Sequence, residues 1–300
     1  MSGVLPLALV RSWITGNRAV SLPFSQYGGP LTNDMEALEC VLRHLREYLY
    51  HGYQYVRLRT RDPFDPKFAV PNWLRASEYY SRCVIPLENR SERDVWSRLH
   101  ANSVRWAVRR SLRSGVVVNI CEQNNDVRRF RELMLQTCKK HGVPPYSIRL
   151  LEGIDEVLAP KKLARIFVAK LNEKIIAILI LFTINEEATF AYNFSDVNYL
   201  RLYPNNALIW SAIKWSLDNG FRNFDMGISS PQDNQLLSFK MRWGPIVSKL
   251  REYFIASNEN AISPDRRACK KYKSATLVWR FLLPSFVASV IGPRILPHFE

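Results

Sequence analysis

Three apolar segments with short polar connections lie between residues 164 and 194 and limit the fold most strongly. They run from Ala164 to Leu171, from Ile175 to Ile184 and from Thr189 to Phe194, and Asn and Glu residues dominate both connections. Strands joined by so few residues pair as antiparallel neighbours. The sequence therefore predicts a three-stranded antiparallel meander.

Helical and strand patterns alternate around this predicted meander. In the first part of the chain, strand patterns run from Val4 to Val10 and from Val20 to Phe24, and Asp34 is placed to cap a helix that runs to about Tyr50. The remaining elements are a helix from Ser91 to Arg113, a strand from Val116 to Cys121, a helix from Asp126 to His141, then, after the meander, a helix from Asn205 to Asn219, a strand from Asn223 to Met226, a helix from Asn234 to Trp243 and a strand from Val247 to Ile255. This order predicts an α+β fold with a mixed, mostly antiparallel sheet.

The charge of the chain narrows the classes of partner. The 300 residues carry a formal net charge of +15, with a sequence pI near 9.8. Such a balance favours an anionic partner, which can be nucleic acid, a phosphate-rich cofactor, a nucleotide-linked substrate or an anionic membrane face; a generally basic protein without such a partner is the alternative. No RRM or OB signature is present to suggest that aromatic side chains stack on bases, and we expect no stable DNA binding.

The cysteines and histidines indicate a reducing compartment and no metal. The five cysteines are scattered, no pair has CxxC spacing, and no His/Cys cluster has the spacing of a zinc site. Because no charged n-region followed by a long apolar stretch opens the chain, no signal peptide is evident. We therefore expect a cytoplasmic protein.

The C-terminal segment from Leu277 to Leu296 is the most apolar part of the tail. Arg280, Pro284, Pro293 and Arg294 interrupt it, so it is a poor membrane span, although it can lie on a membrane surface as an amphipathic segment. We expect this tail to pack back on the body of the protein, because its aromatic residues Trp279, Phe281 and Phe286 require burial.

Several motifs in the second half occur in a characteristic order, namely Tyr192 to Ser195, Pro204 to Trp210, Gly220 to Gly227 and Ser238 to Gly244. In this order they resemble motifs of the FemAB-like proteins of the GNAT superfamily, which include BioF-like acetyltransferase domains. The resemblance implies a GNAT-like domain over residues 96–260, a second and incomplete GNAT-like half over residues 1–95, and a tail over residues 261–300.

The resemblance also implies an activity. Members of the family transfer an acyl or aminoacyl group to an amine, so we expect acyl-CoA or aminoacyl-tRNA as donor, and an acceptor in cell-wall or surface-polysaccharide metabolism such as a nucleotide-linked precursor. The alternative is a non-catalytic module on a degenerate GNAT fold that binds RNA or an anionic surface. That alternative predicts salt-sensitive binding without turnover.

The predicted donor site lies where a strand leads into the helix that starts near Asn205. The free N–H groups and positive dipole end of a helix start can bind a phosphate or an oxyanion, although Asn205 and Asn206 can equally be simple helix caps. The connection carries no glycine, unlike most GNAT cofactor loops. We assign donor binding to Asn193, Ser195, Arg201, Asn205, Asn206 and Asp225.

Three residues are candidates for the chemistry. Lys240, in the motif that resembles the family's FK element, can stabilise an oxyanion or neutralise a phosphate, or it can be a solvated lysine. Tyr192 can orient the acyl group or pack on the sheet. Asp62 can act as general base for the acceptor amine, or it can be part of an Asp-Pro turn.

A basic stripe is the candidate for acceptor binding. Arg98, Arg105 and Arg109 are seven and four residues apart, so they share one face of the predicted helix. Such a face can contact an RNA backbone or a nucleotide-linked acceptor, or it can simply be solvated.

Overall fold

The computed structural model describes residues 2–12, 16–62, 64–65, 70–121, 126–256 and 278–299. Two predictions fall partly outside these ranges, namely the tail before residue 278 and the reduced state of Cys269. The strands are β1 (Gly3–Val4), β2 (Ala8–Val10), β3 (Arg18–Val20), β4 (Leu31–Thr32), β5 (Tyr55–Arg59), β6 (Arg75–Pro86), β7 (Val117–Cys121), β8 (Ala164–Leu171), β9 (Lys174–Ile184), β10 (Glu187–Ser195), β11 (Asn223–Ser229) and β12 (Ile246–Ala256).

Helices connect most of these strands. The α-helices are α1 (Met35–Leu45), α2 (Glu47–Tyr50), α3 (Glu92–Arg98), α4 (Trp106–Arg113), α5 (Val127–His141), α6 (Ile148–Gly153), α7 (Pro204–Asp218), α8 (Asn234–Met241) and α9 (Ser285–Ile295). Short π-helical and 3₁₀ turns occur at Ala101–Arg105, Ile154–Leu158, Val197–Leu202, Val278–Leu282 and Leu296–Phe299. None of the helices in the described ranges is long and apolar enough to cross a bilayer.

The chain divides into two compact units. Unit 1 comprises residues 1–81, 248–275 and 294–300, and unit 2 comprises residues 82–247 and 276–293. In unit 1, strands β2, β3, β5 and β12 are neighbours in that order, and a core that includes Leu42, Val56, Leu58 and Tyr253 packs against them. Asp34 caps α1, as predicted, by accepting a hydrogen bond from the backbone N–H of Ala37.

The sheet of unit 2 has the order β6-β11-β10-β9-β8-β7. The predicted meander forms it, because β8 pairs with β9 and β9 with β10, both antiparallel. Asn172 and Glu173 both have positive φ (48° and 64°), as in a type I′ hairpin turn whose twist matches that of the strands it joins.

Both faces of this sheet are buried. Side chains such as Phe167, Leu179 and Leu181 belong to one core with residues of α4 and α7. Their sequence neighbours point the other way, so Val168 and Ile180 lie in a second core with residues of α5 and α6. Burial on both faces explains why β9 is almost wholly apolar.

One helix prediction is wrong. The segment from Ser91 to Arg113 is broken, because Leu99 adopts an extended conformation (φ −68°, ψ 139°) that ends α3 at Arg98. The chain then re-enters helical geometry through the turn Ala101–Arg105 and continues as α4. Arg98 and Arg109 therefore do not share one face of a single helix.

The prediction of one strand from Val4 to Val10 is also wrong, because residues 5–7 separate β1 from β2, and the two strands pair with different partners.

Candidate functional site

Strands β10 and β11 of unit 2 are parallel neighbours that separate after a short contact. Their paired residues are Glu187 with Asn223, Ala188 with Phe224 and Thr189 with Asp225. Among the described residues of the two strands, pairing stops there, although β10 continues to Ser195 and β11 to Ser229. We call the region in which the two strands continue without pairing the V.

An extra residue in β10 marks the point of separation. The register between β10 and β9 pairs Phe190 with Leu181 and Tyr192 with Ile180, so Ala191 has no partner in this register. A bulge of this kind bends a strand and increases its local twist. It therefore turns β10 away from β11 directly after their last paired residues.

An ion-pair network holds the closed end of the V. Arg82 of β6 donates from Nε to Oδ2 of Asp225, at 2.9 Å, and from Nη2 to Glu187. The other carboxylate oxygen of Asp225 accepts from the backbone N–H of Gly227 at 2.7 Å. All three strands β6, β10 and β11 are thus linked, and Asp225, which is 0% exposed, is engaged with protein groups.

The open end of the V leads from β10 into the start of α7. Ser195, the last residue of β10, is buried and donates its hydroxyl to Oδ1 of Asn205 at 2.6 Å. Asn205 and Asn206 lie in the first turn of α7 and are half-buried, whereas Arg201 is exposed in the preceding turn. The strand end and the helix start are therefore tied together by two of the predicted donor-binding side chains.

The start of α7 differs from a glycine-rich phosphate loop. Tyr203, directly before the helix, has a left-handed conformation with φ of 56°, and Pro204 occupies the first helical position. Proline fits this position but has no N–H to offer to a ligand. The helix dipole is available to an anion here, with fewer backbone donors than a glycine loop would give.

A buried acidic residue next to this opening is neutralised. Asp196 accepts a hydrogen bond from Nη2 of Arg129 at 2.7 Å, and Arg129 also donates from Nε to the carbonyl of Ile175. Burial raises the pKa of Asp196, but the hydrogen bonds from Arg129 and Asn198 outweigh it, so the pKa lies below its ordinary value. Asp196 therefore adds no uncompensated negative charge that would repel an anionic ligand.

Lys240 is buried rather than solvated. Its side chain is part of a residue only 6% exposed, and its Nζ donates to the carbonyl of Ile228 at 2.7 Å. Ile228 lies in the part of β11 that has separated from β10. Burial lowers the pKa of Lys240 to about 8, against the opposing influence of Cys83, Asp225 and Asp233.

Tyr192 and Asn193 both make contacts within the sheet and its covering helices. The ring of Tyr192 meets Tyr146 edge to face, with centroids 5.2 Å apart, and stacks near Phe194 at 6.0 Å. Asn193 donates from Nδ2 to the carbonyl of Ile178 at 2.7 Å. Each is a half-buried residue of the strand that forms one arm of the V.

The remaining candidates lie elsewhere. Asp62 belongs to unit 1, is exposed, and forms an ion pair of 3.4 Å with Arg61. Arg109 places its guanidinium 5.5 Å from the centre of the Trp96 ring, which fixes its direction. Of the predicted site residues, the structure brings Ser195 and Asn205 together at the open end of the V.

Sequence reasoning missed Arg82, Glu187 and Cys83. Cys83 follows Arg82 in β6, and burial raises the pKa of its thiol, while the charge of Lys240 lowers it. The sequence contains a signal for the ion pair, because Arg82 and Asp225 are charged residues in otherwise apolar strand patterns. Buried charges of this kind need a partner.

Comparison with protein families finds a match in the central part of the chain. Residues 98–235 match the family model described as the acetyltransferase (GNAT) domain. The match includes β10, α7 and β11, the elements that form the V and its helix. A search of curated proteins found no match.

Solved structures show the same fold at low sequence identity. The chain is similar to FemX (14% identity, TM-score 0.59, covering 86% of this chain and 89% of FemX). It is also similar to L-PGS from Bacillus licheniformis (13%, TM-score 0.62, covering 94% and 86%) and to a tandem GNAT protein from the clavulanic acid biosynthesis pathway (11%, TM-score 0.52, covering 86% and 80%). The predicted GNAT-like fold, a mixed sheet flanked by helices, is confirmed.

Proposed function

We propose that this chain, of which residues 98–235 match the acetyltransferase (GNAT) domain, is an acyltransferase. It would move an activated acyl or aminoacyl group to an amine. The observation that carries this proposal is the V between β10 and β11, which opens beside the start of α7. A V of this kind can hold the extended arm of a donor between two strand edges. The helix start can then face the anionic part of the donor.

We assign the stabilisation of developing charge to Lys240. The acceptor amine attacks the donor carbonyl, which becomes an oxyanion before the leaving group departs. A buried ammonium interacts more strongly with such a charge than an exposed one does, because little water screens it. Its hydrogen bond to Ile228 supports this role, since that bond fixes Nζ at the separated part of β11.

We also propose roles for other candidate residues. Tyr192 orients the acyl group from β10. Arg105 and Arg109, which are four residues apart at the start of α4, bind an anionic acceptor such as a nucleotide-linked precursor. Asp225 contributes indirectly, because its ion pair with Arg82 fixes the base of the V.

Two classes of donor are compatible with the site. Acyl-CoA and aminoacyl-tRNA both present an acyl group near phosphates, and the net charge of +15 favours either. Pro204 and Tyr203 leave the helix start with fewer backbone donors than a glycine loop has. This feature favours the tRNA donor, and a role in cell-wall or surface-polysaccharide metabolism would follow.

The experiment is a titration of the purified full chain with acetyl-CoA and, separately, with aminoacyl-tRNA, followed by a transfer assay with amine acceptors. We expect one donor to bind and to raise the melting temperature. In Lys240→Met, that donor should still bind while the turnover number falls by about 10²–10³-fold, as for the loss of an oxyanion donor. Lys214→Met is the matched control, because Lys214 lies in α7 and its side chain is not buried.

The pH profile distinguishes the two roles that a buried lysine can have. Because Lys240 must be charged to stabilise an oxyanion, the turnover number should fall as the pH rises through about 8. A turnover number that instead rises through this pH would assign it the role of a base. If neither donor binds, the transferase proposal fails, and binding of RNA without turnover would support the binding-module alternative.

A further inference from the structure

Helix α9 and the turn before it expose large apolar side chains. Phe286 is 78% exposed and Val290, one turn later on the same face, is 46% exposed, while Phe281 in the preceding turn is 69% exposed. The expectation that the tail aromatics are buried is wrong for both phenylalanines, and only Trp279 is buried among the three. Contiguous exposed side chains of this size usually mark an interaction surface.

The opposite face of α9 explains why these side chains point outward. Ala288 is buried, and a Cβ added to Gly292 would lie 2.3 Å from Cδ of Pro145. Arg131 of α5 also donates from Nη2 to the hydroxyl of Ser289 at 3.1 Å. Close packing through small residues fixes α9 on unit 2 and directs Phe286 and Val290 away from it.

The charges around this surface are almost all positive. Residues 278–299 contain two arginines, Arg280 and Arg294, and no Asp or Glu. The last turn of α5 adds exposed Lys139, Lys140 and His141. The turn Val278–Leu282, which carries Arg280, contacts α5, and the charges of Arg280 and of the acidic Asp233 both act on His141.

We propose that this surface, which we call the α9 surface and define as Arg280, Phe281, Phe286, Val290 and Ile291, docks on an anionic phospholipid membrane. Aromatic and aliphatic side chains of such a surface enter the boundary between headgroups and acyl chains. The neighbouring cations are attracted by anionic headgroups. A second copy of a chain with a net charge of +15 would bring like charges together, so a lipid surface fits better than self-association.

The test is co-sedimentation of the full chain with vesicles of phosphatidylcholine alone and with added phosphatidylglycerol. We expect binding to the anionic vesicles that weakens with salt, and little binding to the neutral ones. Phe286→Ser should weaken binding by at least about tenfold, from the apolar area that it no longer buries. Arg280→Gln should weaken it by about fivefold.

Ile184→Ser is the matched control, because Ile184 is a similarly exposed apolar residue at the end of β9 and outside the α9 surface. It should bind like the unmodified chain, and all variants should keep its melting temperature. Absence of binding to anionic vesicles, or equal binding by Phe286→Ser, overturns the proposal. So does a dimer in solution that Phe286→Ser dissociates, because a second copy would then cover the surface.

Discussion

The burial of Lys240 predicts how the stability of the protein depends on pH. Folding lowers the pKa of this lysine from 10.5 to about 8, so between these values the unfolded chain binds the additional proton. The free energy of unfolding therefore rises with pH in this window. From the two pKa values, the rise that Lys240 causes between about pH 8 and about pH 10 is about 2 kcal/mol.

Lys240→Met isolates this contribution from those of other lysines and tyrosines. The substitution keeps most of the side-chain volume and removes the titrating group, although it also leaves the carbonyl of Ile228 without its donor. That loss costs about 1–3 kcal/mol, and removal of a charge from a buried site offsets it, so the variant should fold. The measurement is urea unfolding of both proteins at several pH values across the window.

The decisive quantity is the difference between the two curves. We compare the free energy of unfolding of the variant minus that of the unmodified protein. This difference should be largest below about pH 8 and should fall by about 2 kcal/mol towards pH 10. Parallel curves would show that Lys240 titrates normally in the folded protein. The reasoning about its burial, and with it the proposed pH profile of transfer, would then be refuted.

Two further predictions concern buried ion pairs of unit 2. Arg82→Met should lower the free energy of unfolding by about 3–5 kcal/mol, because it leaves Asp225 and Glu187 buried without their cation; a loss below about 1 kcal/mol in urea unfolding would contradict this. Arg129→Met should shift acid unfolding to higher pH, since the low pKa of Asp196 gives stability that is present near neutral pH and lost as the pH falls. An unchanged acid midpoint would contradict the second prediction.

The strands and most helices of unit 2 could be predicted because their signals are local. The meander follows from apolar runs with Asn and Glu at the turns, and α5 from Asp126 at its start and Gly142, with φ of 68°, at its end. The break at Leu99 could not be predicted, because no proline or glycine marks it. Tertiary contacts fix it instead, such as the hydrogen bond from the N–H of His100 to the carbonyl of Arg242.

The candidate site was predictable only in part for the same reason. The motif around Asn205 identified the helix start, but its contact with Ser195 depends on how β10 bends. The burial of Lys240 comes from the packing of α8 on β11, which no spacing in the sequence encodes. The predicted burial of Phe281 and Phe286 is wrong because it followed from their hydrophobicity alone, whereas the packed face of α9 consists of small residues.

The network of Arg82 with Glu187 and Asp225 has a consequence for the proposed binding of a donor in the V. It joins the strands at the narrow end of the V with buried charges that cannot separate at low cost. The two arms therefore have little freedom to spread or close as a hinge would. The proposed donor would therefore meet an aperture of preset width, so its selectivity would come from the side chains that line the V, and changing them should alter the preferred donor without altering the frame.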